Sequence, residues 1–388
     1  MENLRENHMR SSSIHQRIKV SLIIPTYNER LNIGILLKHV YEILKDTGHS
    51  FEVIVVDDDS PDGTWHVVQE MMSEYPNLRV LRRLHERGLA RAVMLGWQEA
   101  RGEILAVMDG DLQHPPETLV SLIEALETQR ADIAVASRHV RGGGVSKWNV
   151  LRRGISWGAT LAASWLLPGT LATVRDPMSG YFALHRSVIE GRTLKPEGYK
   201  ILLEVLGRGQ YQTVVEVPYV FIERRQGHSK LGLRQYRQFV THLLRLSWET
   251  RELQRFAKYC LVGVTGVLVN MTVLALLTEA GMAYLLAGVL AVETAIVTNF
   301  LLHEWWSFAD HAHRHSGVIP RVLRFLKFNL FCAGGAGIAL IILWLLTEYG
   351  GLPYLLSNFI GIIVATVWNY GMNANLTWET ARAERKQL

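Results

Sequence analysis

Asp109 and Asp111 stand one residue apart in the stretch Met108-Asp109-Gly110-Asp111-Leu112-Gln113-His114-Pro115-Pro116-Glu117. The apolar run Ile104-Leu105-Ala106-Val107 precedes them and a pair of prolines follows, the pattern of a buried strand stopping at a loop. In extended backbone alternate side chains share a face, so both carboxylates and the amide oxygen of Gln113 can converge. Hard divalent cations take oxygen ligands, and Mg²⁺ is usually held by one or two carboxylates plus substrate phosphates. The spacing suits a metal that clamps a diphosphate. A polar turn would account for Asp-x-Asp taken alone, so the neighbouring loops decide between the two readings.

Lys19 to Ile24 is a short β-branched run that ends at Pro25-Thr26-Tyr27-Asn28-Glu29. Proline does not continue a central strand, so Pro25 to Glu29 is expected as a loop at a strand's carboxyl end. Residues 31–47 show helical spacing through Leu31, Ile35, Leu36, Val40, Ile43 and Leu44. A second strand, 51–56, runs into Asp57-Asp58-Asp59-Ser60-Pro61-Asp62-Gly63-Thr64. A further helix, a third strand at 78–81, a helix at 88–100 and the strand at 104–108 follow, and 132–138 forms another strand that delivers Arg138. Strands alternating with helices imply βαβ units and a mostly parallel sheet. Ligands in such sheets sit beyond the carboxyl ends of the strands. Three acidic or polar strand exits therefore open onto one crevice.

The segment 148–167 is amphipathic and Trp-bearing, with Arg152 and Arg153 near its start, as in a helix lying in a membrane interface. After 175–186, 198–206 and a strand at 213–222, the loop 223–232 carries Arg224, Arg225 and Lys230 between Gly227 and Gly232. A basic loop facing an acidic crevice suits closure over a diphosphate.

The 388 residues allow two domains or more, and a net charge of +5 without a clustered basic reading motif argues against nucleic acid as a partner. Anionic lipid headgroups and phosphorylated ligands fit better. Cys260 and Cys332 both lie in apolar segments, so no disulfide framework is expected. Residues 1–17 are polar, lack a signal-peptide core and are expected as a mobile arm. From residue 256 the texture becomes apolar, with candidate spans at about 257–278, 283–303, 326–347 and 353–373. Each is near the roughly 20 residues that cross the hydrocarbon.

These spans form two helical hairpins that repeat one another. Arg255-Phe256-Ala257-Lys258 matches Arg324-Phe325-Leu326-Lys327, Leu276-Leu277-Thr278-Glu279 matches Leu345-Leu346-Thr347-Glu348, and Asn299 matches Asn369. An even number of spans per copy makes the repeats parallel. Lys and Arg precede the first span, occupy the middle link and close the tail, whereas 279–282 and 348–352 contain none. The bias places the N-terminal domain, the middle link and the C-terminus in the cytoplasm. Asn270, Glu293, Asn299 and Asn369 are polar residues at membrane depth, read as helix-packing groups or functional sites. His303, His311, His313 and His315 lack metal-ligand spacing and are expected in a solvated link.

PTYNE, DDDSPDGT, DGDLQHPPE, DPMSGYFAL and RxxGxSKL, in this order over about residues 19–245, resemble the polyprenol-phosphate glycosyltransferases of the GT-A fold, family 2, and among them the dolichyl-phosphate β-mannosyltransferases. The tail resembles the four-span GtrA-like domain. The resemblance implies an α/β GT-A domain over 18–247 and an α-helical membrane domain over 248–388. It implies that Pro25, Tyr27, Glu29 and Asp58 hold the donor nucleoside. Asp109, Asp111 and Gln113 would bind Mg²⁺ or Mn²⁺, and Lys200, Arg224 and Lys230 would contact donor phosphates. Arg138, Arg152 and Ser156 would receive the lipid phosphate, so Asp109, Asp111 and Arg138 form the implied catalytic set. Ala90 departs from the family pattern, where many relatives carry a second glycine.

The implied partners are GDP-mannose, a polyprenyl or dolichyl phosphate and the lipid bilayer. A phosphate monoester has its second pKa at about 6, so the acceptor is already an anionic nucleophile at neutral pH. No general base is then needed, and direct attack predicts inversion, a β-linked product from an α-linked donor. UDP-glucose or another UDP-sugar is the alternative donor. Translocation of a lipid-linked sugar by the membrane domain is the alternative of another class, and a processive synthase lacks its Gln-x-x-Arg-Trp spacing at Gln235, Gln238, Arg245 and Trp248.

Overall fold

The computed structural model describes residues 18–146, 158, 163, 166–167, 174–195, 200–222, 233–312 and 317–378. The expectations for the arm 1–17, for Arg152 and Ser156 in 148–167, for Arg224 and Lys230 in 223–232, and for His313 and His315 lie outside these residues. The chain divides into two compact units, 1–153 with 174–242, and 154–173 with 243–388.

In the first unit, β1 (Val20–Thr26), α1 (Arg30–Asp46), β2 (Phe51–Asp57), α2 (Thr64–Met71), β3 (Leu78–Arg82), α3 (Leu89–Glu99), β4 (Ile104–Val107), α4 (Glu117–Thr128) and β5 (Ile133–Ser137) alternate as expected. After them come β6 (Gly144–Val145), β7 (Phe182–His185), α5 (Ile201–Arg208), β8 (Val214–Pro218) and β9 (Val220–Phe221). The main sheet has the order β3-β2-β1-β4-β7-β5-β8. Strands β1, β2 and β4 bury every side chain, as strands covered on both faces must. Helix α1 packs Ile33, Leu36, Leu37, Val40 and Leu44 into that core, whereas Leu31 and Ile35, expected on the same stripe, are exposed.

Three features of the strands differ from expectation. Strand β1 continues through Pro25 and Thr26, which pair with Val56 and Asp57 of β2. Alternate residues of β1 face its two neighbours: Ile23 O accepts from Met108 N on the β4 side, and Thr26 O accepts from Asp58 N on the β2 side. Pro25 shares the β4-facing parity of Ile23, where the ladder ends at Ile23 and Val107, so its missing N–H costs no ladder bond. Strand β7 is antiparallel and inserts between β4 and β5, with Phe182 opposite both Val107 and Val135. Its lead-in, Asp176 to Tyr181, therefore arrives at the carboxyl ends of β4 and β5. The expected strand at 213–222 is two pieces, β8 on β5 and β9 on β6 in a separate two-stranded sheet.

Helix α6 (Leu233–Glu249) precedes four helices long and apolar enough to cross a membrane: α7 (Glu252–Glu279), α8 (Tyr284–Leu302), α9 (Val318–Glu348) and α10 (Tyr354–Met372). Helix α8 buries Ala287, Ala291 and Ala295, and α10 buries Ser357, Gly361 and Ala365. Small residues every fourth position let helix backbones approach closely. A Cβ on Gly266 would run into the Asn299 amide, and one on Gly335 into the Asn369 amide. Two of the four polar residues at depth are therefore packing groups in equivalent places. Glu293 lies exposed on α8, on the face away from its buried alanines.

Each hairpin ends in a π-helical turn, His303–Ser307 and Asn373–Thr377. The first and last residues of each turn are bridged, His303 Nδ1 to Ser307 Oγ at 3.1 Å and Thr377 Oγ1 to Asn373 Oδ1 at 2.8 Å. Phe308 and Trp378, which follow the two turns, stack at 4.3 Å and 6°. Phe300 meets Trp378 at 6.2 Å and 26°, and its counterpart Tyr370 meets Phe308 at 6.3 Å and 26°. This two-fold geometry bears out the parallel repeats. It also corrects the solvated-link reading for two histidines. His303 is buried and stacks on Tyr259 at 4.3 Å, and buried His311 reaches Arg255 Nη2 at 3.1 Å.

Candidate active site

The exits of β1, β2 and β4, neighbours in the sheet, each contain a non-glycine residue in the left-handed region: Asn28 (φ 53°), Asp59 (φ 55°) and Leu112 (φ 61°). Such conformations cost about 1–3 kcal/mol and persist only where surrounding contacts over-determine them. Buried Asp57 supplies those contacts for the first two loops, accepting from Thr26 Oγ1 (2.8 Å), Ser60 N (2.8 Å) and Ser60 Oγ (2.6 Å). Ser60 Oγ in turn accepts from Asn28 N at 2.9 Å, and Thr64 Oγ1 from Glu29 N at 2.9 Å.

This stitching gathers the residues expected to hold a nucleoside. Glu29 is buried and accepts from Asn32 Nδ2 at 2.8 Å. Tyr27 has Arg87 over its ring at 5.1 Å, and Arg87 Nη1 donates to its hydroxyl at 3.2 Å. Asp58 accepts from Arg83 Nη1 at 2.8 Å and from Gly88 N at 2.6 Å. Burial raises the Asp58 pKa even against those donors. Asp58 thus anchors the loop after β3, which places Arg83 against the β2 exit and Arg87 beside the β1 exit. Sequence reasoning assigned neither arginine a role.

Past the end of β4, Asp111 and Gln113 are buried and Asp109 has a side chain 30% exposed. Gln113 Nε2 donates to Ile222 O at 2.9 Å, which fixes the amide plane and so the direction of its oxygen. Gln113 N donates to Asp111 Oδ1 at 3.2 Å. A Cβ on Gly180 would stand 3.0 Å from Asp109 Oδ2, so the lead-in to β7 makes room for that carboxylate with a glycine. Two carboxylates and an oriented amide suit Mg²⁺ or Mn²⁺ and leave positions for substrate oxygens. Among the described residues no group of three or more His, Cys, Asp or Glu forms a closed metal site.

Arg138, at the β5 exit, is engaged by a carboxylate that sequence reasoning left without a role. Asp176 accepts from Arg138 Nε and Nη2 at 2.7 Å each and from Arg138 N at 3.0 Å. Burial alone would favour the neutral forms of both groups. The hydrogen bonds overcome it, holding Asp176 below the usual carboxylate range and Arg138 above its usual value. Asp176 is itself fixed by Glu216 of β8, whose carboxylate accepts from Asp176 N and Arg175 N at 3.0 Å each. Lys200 Nζ donates to Met178 O at 2.5 Å, in the same lead-in. Burial and the neighbouring Arg138 charge pull its pKa down, while Asp109 and Asp176 oppose them. Asp109, Arg138, Asp176 and Lys200 thus share one electrostatic environment. The DPMSGY segment was visible as a motif, but its role depends on the antiparallel β7.

Residues 21–191 match the family described as Glycosyl transferase family 2, and residues 258–378 match the family described as GtrA/DPMS, transmembrane domain. A dolichol-phosphate mannosyltransferase of Pyrococcus furiosus is 42% identical over 364 residues, covering 94% of this chain and 100% of that protein. The dolichol-phosphate mannosyltransferase of Saccharomyces cerevisiae is 37% identical over 243 residues, 59% of this chain and 87% of that one. That of Mycosarcoma maydis is 36% identical over 265 residues, 66% and 85% respectively. With its α/β glycosyltransferase fold and four membrane-spanning helices, the chain belongs to the dolichol-phosphate mannosyltransferase family of glycosyl transferase family 2, in the form that carries a GtrA/DPMS transmembrane domain.

Proposed function

We propose that this glycosyltransferase moves a mannosyl residue from GDP-mannose to the phosphate of dolichyl or polyprenyl phosphate at the cytoplasmic membrane face, with inversion to a β-linked product. The observation that carries the reading is that one segment, the Asp176–Tyr181 lead-in to β7, holds Arg138 through Asp176 and lies against the Asp109 carboxylate at Gly180. The residues proposed to hold the nucleoside lie at the exits of β1 and β2, and β1 pairs with β4.

Asp109, Asp111 and Gln113 would hold Mg²⁺ or Mn²⁺, which when bound supplies positive charge to offset that developing on the departing diphosphate. Tyr27, Glu29 and the Asp58-anchored loop hold the nucleoside end of the donor, with Pro25 as the next-to-last residue of the strand that leads to them. Arg138, oriented by Asp176, presents a planar cation to the acceptor phosphate. The phosphate is already ionised at neutral pH, so its oxygen attacks the anomeric carbon without a protein base. Lys200, within electrostatic reach of Asp109, Arg138 and Asp176, would add a cation on the diphosphate side. Arg152, Ser156, Arg224 and Lys230 remain the proposed partners of the two phosphates from outside the described residues.

Purified protein with dolichyl phosphate and Mn²⁺ should consume GDP-mannose in preference to UDP-glucose and UDP-N-acetylglucosamine. The one-bond C1–H1 coupling of the product should be that of a β-mannoside. Preferential use of a UDP-sugar, or an α-linked product, would overturn the proposal.

A further inference from the structure

His114 sits in the middle of the oxygen-bearing loop and is 2% exposed. Its Nδ1 lies 3.2 Å from the backbone N of Asp109. A backbone N–H can only donate, so Nδ1 is the acceptor and the proton of the neutral ring is on Nε2. Nε2 lies 4.0 Å from Asp109 Oδ2, too far for a hydrogen bond but on the carboxylate's side. Aromatic rings set the plane of the imidazole. It stacks on Tyr181 at 4.9 Å and 23°, and Tyr219 and Phe221 meet it edge-on at 5.8 and 5.6 Å. Tyr181 also donates its hydroxyl to Pro115 O at 3.1 Å, so it holds two adjacent residues of the loop, His114 by stacking and Pro115 by a hydrogen bond.

We infer that His114 is a positioning residue, whose Nδ1 captures the Asp109 backbone and thereby sets the pose in which that carboxylate meets a divalent cation. A buried aromatic filler would not need an acceptor at that atom. The loop needs one, because β4 has ended at Val107 and the Asp109 N–H has left the strand ladder. Leu112 in the left-handed region folds the loop back far enough for the ring to reach it. Groups that orient metal-binding side chains without touching the metal typically carry about 10- to 100-fold in metal affinity. The inference rests on Asp109 and its neighbours as the cation site.

Two variants of similar size and polarity separate the roles of the two ring nitrogens. In His114→Asn the amide oxygen can stand where Nδ1 stood and keep the Asp109 N–H satisfied. In His114→Gln the amide reaches the Nε2 position and the near acceptor is lost. Mn²⁺ binding to the full-length protein in detergent, without nucleotide or lipid, is read from the electron paramagnetic resonance signal of free Mn²⁺. His114→Asn should bind close to wild type, and His114→Gln about 10-fold or more weaker. Turnover with GDP-mannose should show the same order at low Mn²⁺ and converge at high Mn²⁺. Equal Mn²⁺ affinity of the two variants would overturn the positioning role, as would loss of folding in both, which would make the ring a core filler first. Wild-type protein that binds no Mn²⁺ would instead remove the cation site itself, and this role with it.

Discussion

Replacing Asp176 by asparagine would keep the shape of the side chain and remove one charge beside Arg138. The pair is buried and bidentate, and taking one partner from such a pair costs about 3–5 kcal/mol, because the other charge is left behind. Asp176→Asn should therefore lower the thermal midpoint. It should also raise the KM for lipid phosphate while leaving the KM for the nucleotide sugar alone, since Tyr27, Glu29 and Asp58 lie on other loops. A folded variant with an unchanged lipid KM would take Arg138 out of the acceptor site. A second residue, Glu52, governs acid stability. Its buried carboxylate accepts from Ser21 Oγ at 2.7 Å and from Arg101 N at 2.7 Å, Nε at 3.0 Å and Nη2 at 2.8 Å. Burial alone would raise its pKa, but the Arg101 and Ser21 donors prevail and hold it below the usual glutamate value. A depressed folded-state pKa stabilises fully above the unfolded value of about 4.3, and that contribution is lost as pH falls through the folded value. Glu52→Gln should thus lower the midpoint at pH 7 and flatten its decline below about pH 4, measured by thermal unfolding across an acid series.

Elements decide what a sequence can reveal here. The strands β1 to β5 and the helices α1 to α3 were legible because each is a continuous apolar run or a clear helical period, whereas α4 (Glu117–Thr128) was not singled out. The three polar exits could be placed on one edge from topology alone. Strand β7 was not legible, since Phe182-Ala183-Leu184-His185 is too short to carry a period and its pairing partners lie far along the chain. With β7 went the roles of Asp176 and Gly180, which depend on its antiparallel direction. Pro25 misled for the opposite reason: the rule against proline in a strand presumes a ladder on both sides, and β4 had already ended. In the membrane unit the repeat was readable residue by residue, but not the glycine and asparagine contact it encodes. That contact makes a paired prediction. Gly266→Ala and Gly335→Ala should each destabilise by about 1–3 kcal/mol through overpacking against Asn299 and Asn369. Gly263→Ala and Gly337→Ala, which meet nothing within 4 Å, should be neutral or gain up to about 1 kcal/mol from helix propensity. Melting of the detergent-solubilised protein measures both, and equal effects across the four would show that the asparagines give way.

At the scale of the whole molecule, orientation in the bilayer is the property on which access to a lipid phosphate depends. The residues of the cluster that joins the hairpins, Tyr259, Phe300, Phe308, Phe328, Tyr370 and Trp378, lie at the helix ends nearest the Lys- and Arg-bearing segments. Exposed Trp305 and Trp306 mark that end, and exposed Tyr284, Tyr349 and Tyr354 mark the other, at the two short links. Aromatic side chains of this kind concentrate at membrane–water interfaces, so the two rings of residues bracket the hydrocarbon. Because the hairpins are parallel, both short links must emerge on one side and the middle link on the other. In a protein with Cys260→Ala and Cys332→Ala, single cysteines at Ala280 and Leu352 should react with an impermeant maleimide applied to intact cells. A cysteine at exposed Asp310 should react only after permeabilisation. Labelling of Ala280→Cys and Leu352→Cys from opposite sides would break the parallel repeat. Labelling of both only after permeabilisation, with Asp310→Cys open from outside, would keep the repeat but reverse the orientation that puts transfer at the cytoplasmic face.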